Sequence, residues 1–178
     1  MIERKCLLVL DVQAAMFELP RPLHDGAALL ETIGHLLDSA RTVQSVIAYA
    51  QHCGVDGSRF RRGGDGWRVH PAVAPRPGDF LFEKTHCDAF QNGALLEMLE
   101  RSAIRELIVC GLVTEGCVDT TVRRAFGLGL NTQLASDGHS TTDGPVLSAE
   151  LTKRHHNEVL KAFAQVAQAK DIEFGRGA

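Results

Sequence analysis

Three side chains stand out by their type and by where the chain puts them. Cys117 follows the loop Gly111-Leu-Val-Thr-Glu-Gly116, which leaves an apolar run, and it opens a stretch with apolar residues at helical spacing. Asp11 ends the run Cys6-Leu-Leu-Val-Leu-Asp11, and Lys84 ends the run Asp79-Phe-Leu-Phe-Glu-Lys84. A thiol at the start of a helix meets free backbone N–H groups and the positive end of the helix dipole, which favour thiolate. A neighbouring ammonium lowers the proton affinity of the sulfur further. A neighbouring carboxylate can accept the thiol proton and return it to a leaving group. Nucleophile, base and cationic orienter together suit acyl transfer from an amide or ester to sulfur, followed by hydrolysis. The N–H groups of the Val113–Cys117 turn would then hold the oxyanion.

Each residue alone has an ordinary explanation. A cysteine is more often a small buried hydrophobe than a nucleophile. An aspartate after a strand can cap a loop, and a lysine there can be a solvated surface cation. What joins them is position, because each sits where a short β-type run ends.

The elements that must position them alternate. Cys6–Asp11, Val46–Ala50, Asp79–Lys84, Leu107–Gly111 and Thr132–Ser136 read as strands, with a weak sixth at Gln165–Ala169. Continuous apolar runs of this length suit strands buried on both faces of a parallel sheet. Between them, apolar residues recur at helical spacing: Leu29, Ile33, Leu36, Leu37 and Ala40; Ala94, Leu95, Met98 and Leu99; Cys117, Val118, Thr121, Val122, Ala125 and Phe126. The third of these helices should start near Glu115–Cys117. A last helix should run from about Ser148, its N-cap, to Ala164, and the tail 171–178 should fray. Gly54–Gly78 is a long loop rich in Gly, Pro and Arg, and such loops are often functional. The expectation is an α/β fold of right-handed βαβ units with a mostly parallel, three-layer sheet, in one domain over 1–178. In such sheets the site lies beyond the carboxyl ends of the strands, where Asp11, Lys84 and the Gly111–Cys117 loop fall.

Composition narrows the classes further. The chain has 178 residues, 44% hydrophobic and 23% charged, with net charge −3. That excludes disordered, collagen-like and coiled-coil chains. No basic block is present, so nucleic acid is not an expected partner. No segment approaches 18 apolar residues, so no membrane span or secretory leader is expected. The five cysteines (Cys6, Cys53, Cys87, Cys110, Cys117) show no CxxC and no paired spacing, which fits a reducing cytoplasm. Cys6 and Cys110, inside strands, read as inert core.

Four segments, in order, resemble the isochorismatase-like cysteine hydrolases: Leu8-Val-Leu-Asp-Val-Gln13, Glu83-Lys-Thr-His-Cys-Asp-Ala-Phe90, Gly111-Leu-Val-Thr-Glu-Gly-Cys-Val-Asp-Thr-Thr121 and Asp137-Gly-His-Ser-Thr141. The resemblance spans roughly residues 5–165 and implies a Rossmann-like three-layer sandwich with a six-stranded, mostly parallel sheet and an Asp11–Lys84–Cys117 triad. It also implies a non-proline cis peptide at Val113–Thr114, aiming the Thr114 N–H, with that of Cys117, at the oxyanion. True isochorismatases cleave a vinyl ether and many carry a non-cysteine residue at the nucleophile position, so Cys117 favours C–N hydrolysis; oligomers are common among the members, so a homo-oligomer acting on a small molecule is implied. Metal-binding members carry an Asp-x-His-x-x-x-His pattern after the second strand. Those positions here are Gln51, Cys53 and Gly57, so no metal or other cofactor is expected. Gly63-Gly-Asp-Gly-Trp-Arg-Val-His-Pro71 resembles the loop of the metal-free, streptothricin-hydrolase-like branch.

Around the triad, Phe17, Gln51, His52, Trp67 and Phe90 are candidate pocket residues. His70, His86 and His139 are further histidines that could face the crevice, and Cys53 and Cys87 lie in loops near it. Arg59, Arg61, Arg62 and Arg68 concentrate positive charge in the long loop, either to attract an anion or as a solvated rim. Gln13 and Asn92 could bond the site's backbone. Three activities compete: C–N hydrolysis through a thioester, isochorismatase-type vinyl-ether hydrolysis with Asp11 as acid and Cys117 dispensable, and a non-catalytic binding module.

Overall fold

The computed structural model describes residues 4–175. Six strands form one sheet in the order β3-β2-β1-β4-β5-β6. They are β1 (Lys5–Leu10), β2 (Val46–His52), β3 (Phe80–Lys84), β4 (Glu106–Leu112), β5 (Asn131–Ser140) and β6 (Gln165–Ala167), and every neighbouring pair is parallel.

β1 shows why the apolar runs end up central. Its side chains alternate between two faces, so Cys6, Leu8 and Leu10 join one core cluster while Leu7 and Val9 join the other. Helix α1 (Gly26–Thr42) covers the second face with Leu29, Ile33, Leu36, Leu37 and Ala40. On the first face lie α2 (Ala94–Arg101), through Leu95 and Leu99, and α3 (Asp119–Gly127), through Val122 and Ala125. Three layers result, as the spacing predicts. Helix α4 (Ala149–Val159) begins at Ser148, whose hydroxyl accepts the Leu151 N–H at 3.2 Å, as an N-cap should.

The structure departs from the sequence expectations at the polar ends of elements. β5 runs on to Ser140, well past the apolar stretch. Val109 pairs with Leu134 and Gly111 with His139, so two steps on β4 match five on β5, a bulge. Gly138 makes the bulge possible, since a Cβ there would lie 2.6 Å from that of Ala135. α4 stops at Val159, and Leu160–Ala162 continue as one 3-10 turn. The tail expected to fray instead packs Ile172 and Phe174 into the α1-side core; the remainder of that expectation, 176–178, lies outside the described residues. The long loop is pinned at intervals: Val69 bridges to Gln13, Gly54 to Arg61, and the Tyr49 hydroxyl donates to the Val73 carbonyl at 3.1 Å.

Candidate active site

The strand order reverses direction between β1 and β4, and the carboxyl ends of these strands frame a crevice. Two local features shape it. Gly111 has φ +121°, and a Cβ there would run into the Leu10 carbonyl, so only glycine lets β4 lie this close to the end of β1. The residue just past β1, Asp11, has φ +52°, a left-handed conformation that Asp tolerates better than most residues and that recurs at functional sites.

Lys84, the last residue of edge strand β3, reaches past the end of β2 to this crevice. Its Nζ lies 2.6 Å from Asp11 Oδ2, 3.1 Å from Cys117 Sγ and 3.1 Å from the His86 carbonyl oxygen. An ammonium has three N–H bonds, and here all three have acceptors. The three side chains are nearly sealed from solvent, at 5% exposure for Asp11, 2% for Lys84 and 9% for Cys117. Burial pulls the lysine's pKa down, but Asp11 and Cys117 outweigh it, so Lys84 is held above its ordinary value and stays charged. Asp11 Oδ1 has no hydrogen-bond partner and is free to take a proton.

Cys117 does not open a regular helix. It sits in a wide π-helical turn, Thr114–Val118, that precedes α3. The Val113 carbonyl accepts the N–H groups of Gly116 at 3.1 Å and Val118 at 3.2 Å, so neither of these donors is spare. Two expectations are corrected here. The non-proline cis bond joins Leu112 to Val113, one residue before the motif alignment put it, because the β4–β5 ladder ends at Leu112 and the chain turns there. The Cys117 thiol is also pushed up, not down: burial and the Asp11 carboxylate outweigh Lys84. The resting site therefore holds a protonated thiol between a cation and a proton acceptor.

Of the candidate pocket residues, His52 is paired in register with Lys84 across β2 and β3. Its Nδ1 is buried without a partner, and burial, then Lys84, lowers its pKa, so the ring is neutral. Gln51 is 5% exposed and donates to the Trp67 carbonyl at 3.1 Å, so it pins the loop and does not line the crevice. Gln13 shares that task, donating to the carbonyls of Trp67 at 2.8 Å and His52 at 3.0 Å. The Trp67 indole donates to Cys53 Sγ at 3.2 Å. Phe17 packs on the His70 ring at 4.6 Å. Phe90 belongs to the core cluster and not to the rim of the site, because the turn after β3 folds it inward beside Leu95. Asn92 donates to the Glu83 carbonyl at 2.7 Å, steadying the end of β3. Three loop arginines are spent on the protein itself: Arg59 on the Glu18 carbonyl, Arg62 on Glu83 and Arg68 on Asp65.

Cys6 and Cys110 are core residues; burial raises both thiols, Cys6 to about 12. Cys87 is exposed beside the site turn. The three positions where metal-binding relatives carry ligands do not fit a cation: the Gln51 amide and the Cys53 sulfur are engaged by Trp67, and Gly57 has no side chain. Among the described residues, no three His, Cys, Asp or Glu side chains converge as ligands would. An open cavity of about 800 Å³ lies at the other end of the sheet, around Lys5, Glu106 and Gln165, away from the triad.

Sequence reasoning missed the His86 carbonyl as the third partner of Lys84, because a backbone acceptor leaves no trace in residue type. His139, one of the histidines that could have faced the crevice, is instead wholly buried beneath the Cys117 turn.

The comparisons with known proteins point to one family. A family model for the isochorismatase domain matches residues 5–171. A streptothricin hydrolase of Streptomyces noursei is 34% identical over 141 residues, covering 79% of this chain but 51% of that protein. The chain thus spans about half the length of the streptothricin hydrolases it matches. Among solved structures, an isochorismatase from Pseudomonas putida KT2440 superposes with a TM-score of 0.91 at 30% identity, over 95% of this chain and 90% of that one. A cysteine hydrolase from Pseudomonas syringae pv. phaseolicola 1448A gives 0.87 at 26% identity, over 94% and 90%.

Proposed function

The chain belongs to the isochorismatase family, and from that premise we propose that it is a metal-independent cysteine hydrolase cleaving an amide, carbamoyl or lactam C–N bond of a small molecule. The observation that carries this reading is the position of one buried ammonium, 2.6 Å from Asp11 and 3.1 Å from Cys117. Cys117 Sγ attacks the substrate carbonyl while its proton passes to Asp11. The raised thiol makes this coupling necessary, since no standing thiolate is available. Lys84 keeps its proton throughout. It offsets the charge on Asp11 before transfer and on sulfur as the thiolate forms.

The backbone N–H groups of Thr114 and Cys117 hold the tetrahedral oxyanion. Asp11 returns the proton to the departing nitrogen, leaving a thioester. It then deprotonates a water that attacks the thioester, releasing the acid and restoring the thiol. Similarity of parts of the chain to ureidoacrylate amidohydrolases supports the class of bond. No helix among the described residues is long and apolar enough to cross a membrane. The five free cysteines support a reducing cytoplasm as the setting, and a homo-oligomer is the assembly we expect.

The test is ammonia release from primary amides, ureido acids and carbamoyl compounds, with ring-opening of lactams followed in parallel, in EDTA, for wild type and Cys117→Ala. Turnover by wild type alone is the expected result. Turnover retained in Cys117→Ala would move the assignment to vinyl-ether chemistry run by Asp11, and silence of wild type on every substrate would move it to a binding role.

A further inference from the structure

The turn that carries the nucleophile is held from below by a buried polar chain that the proposed chemistry does not use. The β5 bulge brings His139 level with Gly111, directly under the turn. His139 Nδ1 lies 2.9 Å from Thr114 Oγ1, and His139 Nε2 lies 2.9 Å from Asn157 Oδ1 on α4. Asn157 Nδ2 donates to the Ser136 carbonyl at 3.0 Å.

The direction of every bond follows from the last. A carbonyl only accepts, so the Asn157 amide nitrogen faces Ser136 and its oxygen faces the ring. His139 Nε2 must then carry the proton, Nδ1 is the acceptor, and the Thr114 hydroxyl donates to it. Burial keeps the ring neutral, which this arrangement requires. One position on in the turn, Glu115 Oε1 accepts from Thr141 Oγ1 at 2.8 Å, so consecutive residues of the turn are held by the end of β5 and the residue just past it.

We infer that His139 is a positioning residue: through the Thr114 hydroxyl it fixes the backbone of the turn, and with it the N–H groups that meet the oxyanion. Asn157 in turn fixes the ring. This rests on the acyl-transfer reading above, and it assigns His139 no contact with substrate.

Two probes of Cys117 separate positioning from folding. p-Nitrophenyl acetate acylates the sulfur through an oxyanion: the thiol proton passes to Asp11, the C–S bond forms, the C–O bond breaks, and p-nitrophenolate leaves. Iodoacetamide alkylates the same sulfur, with iodide leaving and no oxyanion formed. Removing one oxyanion donor outright costs about 10²–10³ in rate, so misaligning one should cost roughly tenfold or more. The acylation burst should therefore slow at least about tenfold in Thr114→Val, which keeps the shape and loses the hydroxyl, and in His139→Gln. Thr114→Ser should restore it, while alkylation stays within about twofold of wild type in all three. The double variant Thr114→Val/His139→Gln should be no slower than the slower single, since both cut one link. If Thr114→Val does not fold, Asn157→Leu, further from the turn, replaces it with the same expectation.

A wild-type burst rate in folded Thr114→Val and His139→Gln overturns the inference. Alkylation falling in step with acylation does so too, because that pattern marks a merely structural role. Wild type that alkylates but releases p-nitrophenolate no faster than Cys117→Ala overturns the acyl-transfer reading itself, and the inference with it.

Discussion

Replacing Lys84 by Met tests the site's electrostatics without needing a substrate. The substitution keeps most of the side-chain length and removes contacts to Asp11 at 2.6 Å, Cys117 at 3.1 Å and the His86 carbonyl at 3.1 Å. With an effective dielectric of about 20, charges at the first distance attract by roughly 6 kcal/mol, a sum that desolvation of both groups partly cancels. What the mutant suffers is the residue of that balance, a buried carboxylate left without its cation. Breaking such a pair costs about 3–5 kcal/mol. At about 2–4 °C per kcal/mol for a chain of this size, the melting temperature should fall by roughly 6–20 °C.

The decisive comparison is Asp11→Asn/Lys84→Met, read by circular dichroism melts of all four proteins at pH 7. Removing the orphaned charge should return at least half of the lost melting temperature while activity stays abolished. If Lys84→Met melts within about 2 °C of wild type, or the double variant loses the sum of the two single losses, Lys84 is not there to balance Asp11.

Other consequences follow from the same geometry. Cys117→Ser should lower turnover by orders of magnitude while the melting curve barely moves, and near-native turnover in that variant would end the thioester mechanism. Because the Cys117 thiol is raised, its labelling by iodoacetamide should accelerate only as pH climbs beyond about 8.5, and Lys84→Met should push that rise higher still; a midpoint below 8.5 contradicts this. His139 is held neutral by burial, its pKa lowered from 6.5 to about 4. A depressed folded-state value stabilises the protein above the unfolded value and is lost as pH falls towards 4, a contribution on the order of 3 kcal/mol. Melts between pH 7 and 4 should therefore show a steep acid loss that His139→Gln flattens, and an equal slope in the variant would refute the assignment. Gly111→Ala should cost about 3–5 kcal/mol or prevent folding, since its Cβ meets the Leu10 carbonyl at φ +121°, whereas Gly127→Ala, with open space around it, should be tolerated.

The readable parts of this protein are those where residue type and spacing carry the information directly. β1 announces itself as five apolar residues in a row because it is buried on both faces, and Ser148 announces a helix start because its hydroxyl satisfies an N–H that the helix leaves open. Ends of elements are less legible: β5 continues through Asp137-Gly-His-Ser140, a polar segment that pairs because β4 is already there. Phe90 and Trp67 look alike as aromatic loop residues, yet one lies in the core and the other pins a loop through its carbonyl. Gln51 looks like a ligand gone missing, and it is a donor to that same carbonyl.

The sequence alone determined the class of fold, the position of Asp11, Lys84 and Cys117 at strand ends, and the family, because alternation, spacing and motif order are properties of the chain in one dimension. Only the tertiary structure decided the state of the site. Whether Cys117 rests as thiol or thiolate depends on a sum of burial, one carboxylate and one ammonium, each contributed by a different strand. Helix-start position and a nearby lysine argue for thiolate when counted alone; the loss of water around the sulfur and the nearness of Asp11 reverse the sign. The chain from Asn157 through His139 to Thr114 was likewise invisible, since its ends are 43 positions apart in sequence and meet the His139 ring, each at 2.9 Å, only after a bulge, a glycine and a helix have brought them there.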